Sequence, residues 1–151
     1  MSSPMQLEDY IILDLKFSSN CASDINCSGE TDFRFDFNIK EREKGKDYIL
    51  NVRFTFGPSK QEEEKNPYNI SISLSGHFLF PGKTDKQKRD RLLLLNGTSI
   101  LYGIARGLIS QITANSVHGK WVIPTVNFIE LIENRQKIIG RNKHKKSKKR
   151  S

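Results

Sequence analysis

Between residues 11 and 80 the chain alternates apolar and polar side chains in four separate runs. Ile11, Leu13, Leu15 and Phe17 are set against Asp14 and Lys16. Phe33, Phe35, Phe37 and Ile39 are set against Asp32, Arg34, Asp36, Asn38 and Lys40. Tyr48, Leu50, Val52, Phe54 and Phe56 interleave with Asn51, Arg53 and Thr55. Tyr68, Ile70, Ile72, Leu74, Phe78 and Phe80 then oppose Asn69, Ser71, Ser73 and Ser75. Successive strand residues point to opposite faces, so a period of two predicts strands with one buried and one wet side. That pattern belongs to an antiparallel sheet covered on one face. Turn-rich links at Glu41 to Asp47 and Gly57 to Pro67 suit hairpins between the last three strands. The polar link from Ser18 to Thr31 is longer.

After residue 82 the period changes. Leu101, Ile104, Ala105, Leu108 and Ile112 recur at three- and four-residue spacing, the mark of a helix with one buried face. Helix is predicted from about Lys83 to Ala114, with a kink or short break at Asn96-Gly97 and a restart capped by Thr98 or Ser99. Gly119 leads into an extended crossover with Trp121, Val122, Ile123, Pro124 and Val126. Such a loop holds more apolar surface than a connection needs, so it tucks against the sheet or offers itself to a partner. Asn127, with Glu130 three residues on, caps a terminal helix through Phe128, Leu131, Ile132, Arg135, Ile138 and Ile139, ending at Gly140. The predicted class is α+β: a four-stranded antiparallel sheet with two C-terminal helices packed on one face.

Composition divides the chain. Its 151 residues suit one domain. Arg141, Lys143, Lys145, Lys146, Lys148, Lys149 and Arg150 crowd the last eleven residues. Without those seven, the formal charge of +8 falls to about +1 for residues 1–140, with 18 basic against 17 acidic side chains. The expected organisation is therefore a folded domain over 1–140 and a lysine-rich tail over 141–151 without a core of its own. No run approaches the ~18 apolar residues of a membrane span. The start, MSSPMQLEDY, lacks the pattern of a signal peptide, so a cytoplasmic protein with free thiols at Cys21 and Cys27 is expected.

Catalytic chemistry finds no support. Pro81-Gly82-Lys83-Thr84 lies between a strand and a helix as a phosphate loop would, but its earlier glycine position holds His77. His77, His118 and His144 are scattered, with no serine or cysteine beside them in a nucleophile motif. Glu62, Glu63 and Glu64 read as a solvated loop. No enzyme, no cofactor and no metal site are expected. Gly103, Gly107 and Ala114 form a small-residue stripe on the long helix, which points to close approach of a second helix and so to an oligomer interface. Trp121 is the only tryptophan, and its place in a loop suits a partly wet binding site.

Leu101, Ala105 and Arg106, followed by Pro124, Val126, Asn127, Phe128 and Leu131, resemble the SecB family of protein-export chaperones. There a helix with an aromatic-Pro-Tyr-Ala-Arg pattern leads to a Gly-started loop and a Pro-x-(Ile/Val)-Asn-Phe-x-x-Leu motif. Ser75-Gly76-His77-Phe78 is similar to the close of the family's last strand, and residues 33–39 are similar to its second strand. The resemblance runs from about Leu7 to Ile138. It implies an ATP-independent chaperone, a dimer of dimers, that holds unfolded polypeptide in long apolar grooves. Its client is an exported protein or a dedicated antitoxin. The groove residues it implies are Phe33, Phe35 and Phe37, then Trp121, Ile123 and Val126 from the crossover, with Leu131 from the last helix. The three phenylalanines also read as plain core, and both roles can share them. Exporting members dock the SecA motor through carboxylates on the sheet. Asn69 and Ser71 stand there instead, Asp14 alone being kept, and Gly107 replaces a glutamate, so SecA docking is not expected. The rival reading is a nucleic-acid-associated protein, or one with an acidic partner, acting through Lys143, Lys145, Lys146, Lys148, Lys149 and Arg150.

Overall fold

Strand pairing determines which face each side chain takes. The computed structural model describes residues 3–19, 32–57 and 68–134. Strands β1 (Gln6–Ser19), β2 (Asp32–Glu43), β3 (Asp47–Gly57) and β4 (Tyr68–Leu79) form one antiparallel sheet in the order β1-β4-β3-β2. The β2–β3 hairpin turns at Gly45, whose φ of 74° lies in the left-handed region that glycine adopts without strain. The two central strands carry the core. Tyr48, Leu50, Val52, Phe54 and Phe56 of β3 are buried, as are Tyr68, Ile70, Ile72, Leu74 and Phe78 of β4. The alternation read from the sequence holds along both.

Along β1 it does not. The sequence pattern puts Ile11, Leu13, Leu15 and Phe17 on one face, whereas the strand divides them. Its pairing slips between Leu7 and Asp9 and again between Ile12 and Asp14. Beyond the second slip Leu15 and Phe17 oppose Ile72 and Ile70 on the core face. Before it, Ile12 opposes Leu74, so Ile11, opposite Ser75, turns to the outer face. One extra residue in a strand reverses every side chain that follows.

The helical layer is a single 28-residue run from Lys86 to Thr113. It consists of α1 (Lys86–Leu92), a π-helical turn (Leu93–Gly97) and α2 (Thr98–Thr113). Of the kink or short break expected at Asn96-Gly97, no break occurs: the helix runs on through a widened, π-helical turn that ends at Gly97. A Cβ on Gly97 would lie 3.0 Å from Leu50 Cδ2, so glycine serves close helix–sheet approach here rather than chain reversal. Neither Thr98 nor Ser99 caps a restart. Thr98 Oγ1 is buried without a partner among the described residues, and the Ser99 hydroxyl donates to Leu95 O at 2.8 Å. By length and composition this helix could cross a membrane, but Leu93, Leu101, Ala105 and Ile109 are buried in the core. A last helix, α3, is described over 128–134, and Asn127 caps it by accepting from the Glu130 N–H at 3.3 Å. Cys21, Cys27, Glu62, Glu63, Glu64, Arg135, Ile138, Ile139, Gly140 and the tail from Arg141 lie outside the described residues.

Gly76 lies where α2 approaches β4. A Cβ there would sit 2.7 Å from Phe78 Cε2 and 3.0 Å from Leu101 Cδ2, both on fully buried side chains. Gly76→Ala is therefore expected to cost about 1–3 kcal/mol of stability through overpacking, read as a lowered urea midpoint at unchanged slope.

Candidate functional site

The side chains of β2 facing the helices form an aromatic rank at an open sheet edge. Phe33, Phe35, Phe37 and Ile39 oppose Phe56, Phe54, Val52 and Leu50. Phe35 stacks between Phe37 at 5.5 Å and Phe54 at 5.7 Å and meets Phe128 edge-on at 5.4 Å. Only 7% of it is exposed. Phe33 touches Phe56 at 5.1 Å, Tyr102 at 6.0 Å and Phe128 at 6.4 Å, and is half-buried. Phe37 and Ile39 reach past the helical cover and are 36% and 37% exposed.

Four side chains tie the crossover that follows α2 to the scaffold. The Tyr68 hydroxyl donates to Gly119 O at 2.7 Å and accepts from the His118 N–H at 3.0 Å. Thr113 Oγ1 accepts from the Trp121 N–H at 2.8 Å. Arg106 Nε donates to Ile123 O at 3.1 Å, and the Tyr102 hydroxyl donates to Pro124 O. These bonds satisfy polar backbone that an apolar loop would otherwise bury unpaired. They also orient the side chains. Ile123 is fully buried beneath the loop, whereas Trp121 and Val126 are half-buried and Val122 is exposed. Trp121 rests edge-on against Phe56 at 5.8 Å and beside Tyr68 at 6.2 Å. On α3, Leu131 is half-buried and Ile129 exposed.

The sequence-derived residues thus divide by depth. Phe35 and Ile123 form the floor of the apolar strip. Phe33, Trp121, Val126 and Leu131 are partly open, and Phe37 is the most open of them. Sequence reasoning left Ile39 out of the site, although the alternation that selected the phenylalanines continues through it. It also missed Tyr68 and Tyr102 as anchors of the crossover. For Tyr102 a signal existed, as the one aromatic residue on the long helix. Gly103 and Gly107 lie on the exposed side of α2 and Ala114, exposed too, just past its end; a Cβ on either glycine would meet nothing within 4 Å.

A family profile described as preprotein translocase subunit SecB matches residues 2–138. The chain belongs to the SecB family. It is similar to the uncharacterised protein MJ0357 of Methanocaldococcus jannaschii, at 25% identity over 148 residues, covering 93% of this chain and 90% of that protein. Among solved structures it is similar to the Rv1957 SecB-like chaperone of Mycobacterium tuberculosis in complex with a ChAD peptide from the Rv1956 HigA1 antitoxin. The TM-score is 0.63 at 10% identity, with 81% of this chain and 90% of that one covered. At that identity the likeness concerns the fold. In this SecB-family chain Ala105 and Arg106 of the helix pattern are a buried contact and a loop anchor.

Burial pushes the Tyr102 phenol from 10.0 up to about 12, against a smaller lowering by the Arg106 guanidinium. The folded state holds this proton more tightly than the unfolded chain does. Stability from it is thus complete below pH 10 and declines as pH rises from 10 through about 12. Tyr102→Phe is expected to flatten that decline in urea midpoints measured at pH 9, 10.5 and 11.5, with Trp121 fluorescence as the reporter.

Proposed function

We propose that this SecB-family chain is an ATP-independent holdase that binds non-native polypeptide on the apolar strip formed by β2, the crossover and α3. The observation that carries the reading is the exposure of Phe37 and Ile39 on a sheet edge beside a fixed aromatic cluster. Burial of apolar surface gains roughly 25 cal/mol per Å² without demanding a sequence, and an open edge offers backbone pairing to an extended client. Phe33, Phe37, Trp121, Val126 and Leu131 make the contacts, with Phe35 and Ile123 supporting them from below. Contact without catalysis is all that such a surface requires, and membership of the family supports a cytoplasmic location. The Rv1957 complex with an antitoxin peptide supports a polypeptide client, including a dedicated one.

The protein works as an oligomer, a dimer of dimers. Tyr10, Ile11, Ile12, Leu13 and Leu15 are all exposed on β1, the other edge strand. Long apolar edges are aggregation-prone unless covered, and a second β1 would cover this one. The open stripe of Gly103, Gly107 and Ala114 would meet a second helix. The alternative, nucleic acid bound through the tail, draws on no observation among the described residues.

Aggregation of a chemically denatured protein, diluted into rising amounts of this chain without ATP, is the test. Suppression saturating near one oligomer per client is expected. Phe37→Ser with Ile39→Ser should lose most of that suppression, while losing the stack on Phe35 lowers the urea midpoint only modestly and leaves the chain folded. Equal suppression by parent and variant would remove the strip as the client site. Gly103→Ala with Gly107→Ala gives a second check. Each change favours the helix by about 1 kcal/mol, yet the pair is expected to dissociate the oligomer at higher concentration in size exclusion with light scattering. An unchanged oligomer would remove the glycine stripe from the interface.

A further inference from the structure

The outer face of the sheet, away from the helices, carries a second surface of different chemistry. Lys16 opposes Ser71, Ser71 opposes Thr55, and Thr55 opposes Arg34, so these four residues form one row across all four strands. Strands lie about 4.8 Å apart, which puts the two cations about 14 Å from each other at the backbone, on either side of two small hydroxyl residues. Long side chains at the edges and short ones at the centre make a trough. A cavity of about 500 Å³ lies in it, lined by Lys16, Ser18, Arg34, Thr55, Asn69 and Ser71 among others, with no carboxylate among the described residues of its lining. Lys16 and Arg34 are exposed, and neither has an ion-pair partner among the described residues. Asn69 Oδ1 is buried at this cavity and lacks a hydrogen-bond partner among the described residues. The next row, Asp14, Ser73, Arg53 and Asp36, differs: carboxylates flank its cation, and Arg53 Nε donates to Ser73 Oγ at 3.0 Å.

We propose that the Lys16–Ser71–Thr55–Arg34 row and Asn69 form a docking site for an extended acidic peptide segment of a partner protein, separate from the client strip. Charge complementarity selects the occupant. Lys16 and Arg34 match carboxylates four positions apart on one extended strand, which at about 3.4 Å per residue also span about 14 Å. Thr55, Ser71 and Ser18 can donate hydroxyl hydrogen bonds to the same groups. Asn69 Oδ1 is an acceptor without a partner among the described residues, and a peptide N–H satisfies it once the side-chain amide turns toward the trough. Inorganic anions and nucleic-acid phosphates lack that backbone donor. The next row limits the site: Asp14 and Asp36 repel further carboxylates, so the segment is held at the Lys16 end of the face.

The test is fluorescence anisotropy of a labelled eight-residue peptide of alternating Glu and Ser, titrated with the full chain. Lys16→Glu with Arg34→Glu should weaken binding at least tenfold, and Asn69→Leu several-fold. Lys148→Glu with Lys149→Glu removes the same charge from the tail and should change it less than threefold. Aggregation suppression by the Lys16/Arg34 variant should match the parent, which keeps this site distinguishable from the client strip. Three outcomes would overturn the proposal. The tail variant takes the larger loss; a labelled eight-nucleotide single strand binds the same site as tightly; or the peptide binds only after Glu62→Gln, Glu63→Gln and Glu64→Gln, which would make this chain's own loop the occupant.

Discussion

Tyr102 joins the apolar strip of β2, the crossover and α3 to the core of the sheet. Its ring lies against Phe33 of β2, Phe54 and Phe56 of β3 and Phe128 of α3, with centroids 5.1 to 6.4 Å away. Its hydroxyl ends on the carbonyl of Pro124 in the crossover. One side chain from the helical layer thus packs on the sheet and the last helix and bonds the loop between them. Aromatic pairs of this kind contribute about 0.5–1.5 kcal/mol each beyond area burial. The raised pKa follows from the same setting, because a phenolate among hydrocarbon rings loses its hydration. Gly76 and Gly97 make the contact possible, since side chains there would hold the helix off β4 and β3.

Legibility from the sequence follows from how local each determinant is. The alternation along β3 and β4 was decisive because both strands are central and every inward residue is buried. Along β2 the same rule identified the inward residues but not their depth, since depth depends on how far α3 and the crossover extend. The β1 bulges were hidden for another reason. YIILDL is apolar on both faces, so no wet side exposes the slip in register. At Gly97 propensity suggested a break, and tertiary packing overrode it: the helix gains from lying close to Leu50 and Phe78. Tyr68 escaped notice because its alternation placed it correctly in the core, and only the tertiary fold brings residues 118 and 119 to its hydroxyl.

The two faces of the sheet divide the chemistry. Facing the helices, β2 to β4 present aromatic and aliphatic side chains, and the outer face presents Ser71, Ser73, Thr55 and Asn51 between charged edges. Antiparallel sheets allow this division because adjacent residues never share a face. A change on one face leaves the other's side chains in place, so the two proposed surfaces can be tested separately. β1 is the exception. Its exposed apolar residues fall on both faces, so a neighbour that covers this edge meets both surfaces at once.

The fixed crossover bears on the proposed contact with non-native polypeptide. An apolar loop that had to order on binding would lose part of each contact's gain, at about 0.5–1.5 kcal/mol for every long side chain immobilised. Here Tyr68, Thr113, Arg106 and Tyr102 already hold the backbone from residue 118 to residue 124. The ordering cost then falls on the client alone. An unfolded chain buries little else as it binds, so its net gain stays modest and depends on apolar content more than on order of residues. A surface made rigid by internal hydrogen bonds and apolar on its open side therefore fits the proposed holding of polypeptide. Tight recognition of one sequence would need polar partners aimed outward, and in this loop the polar groups named above are turned inward.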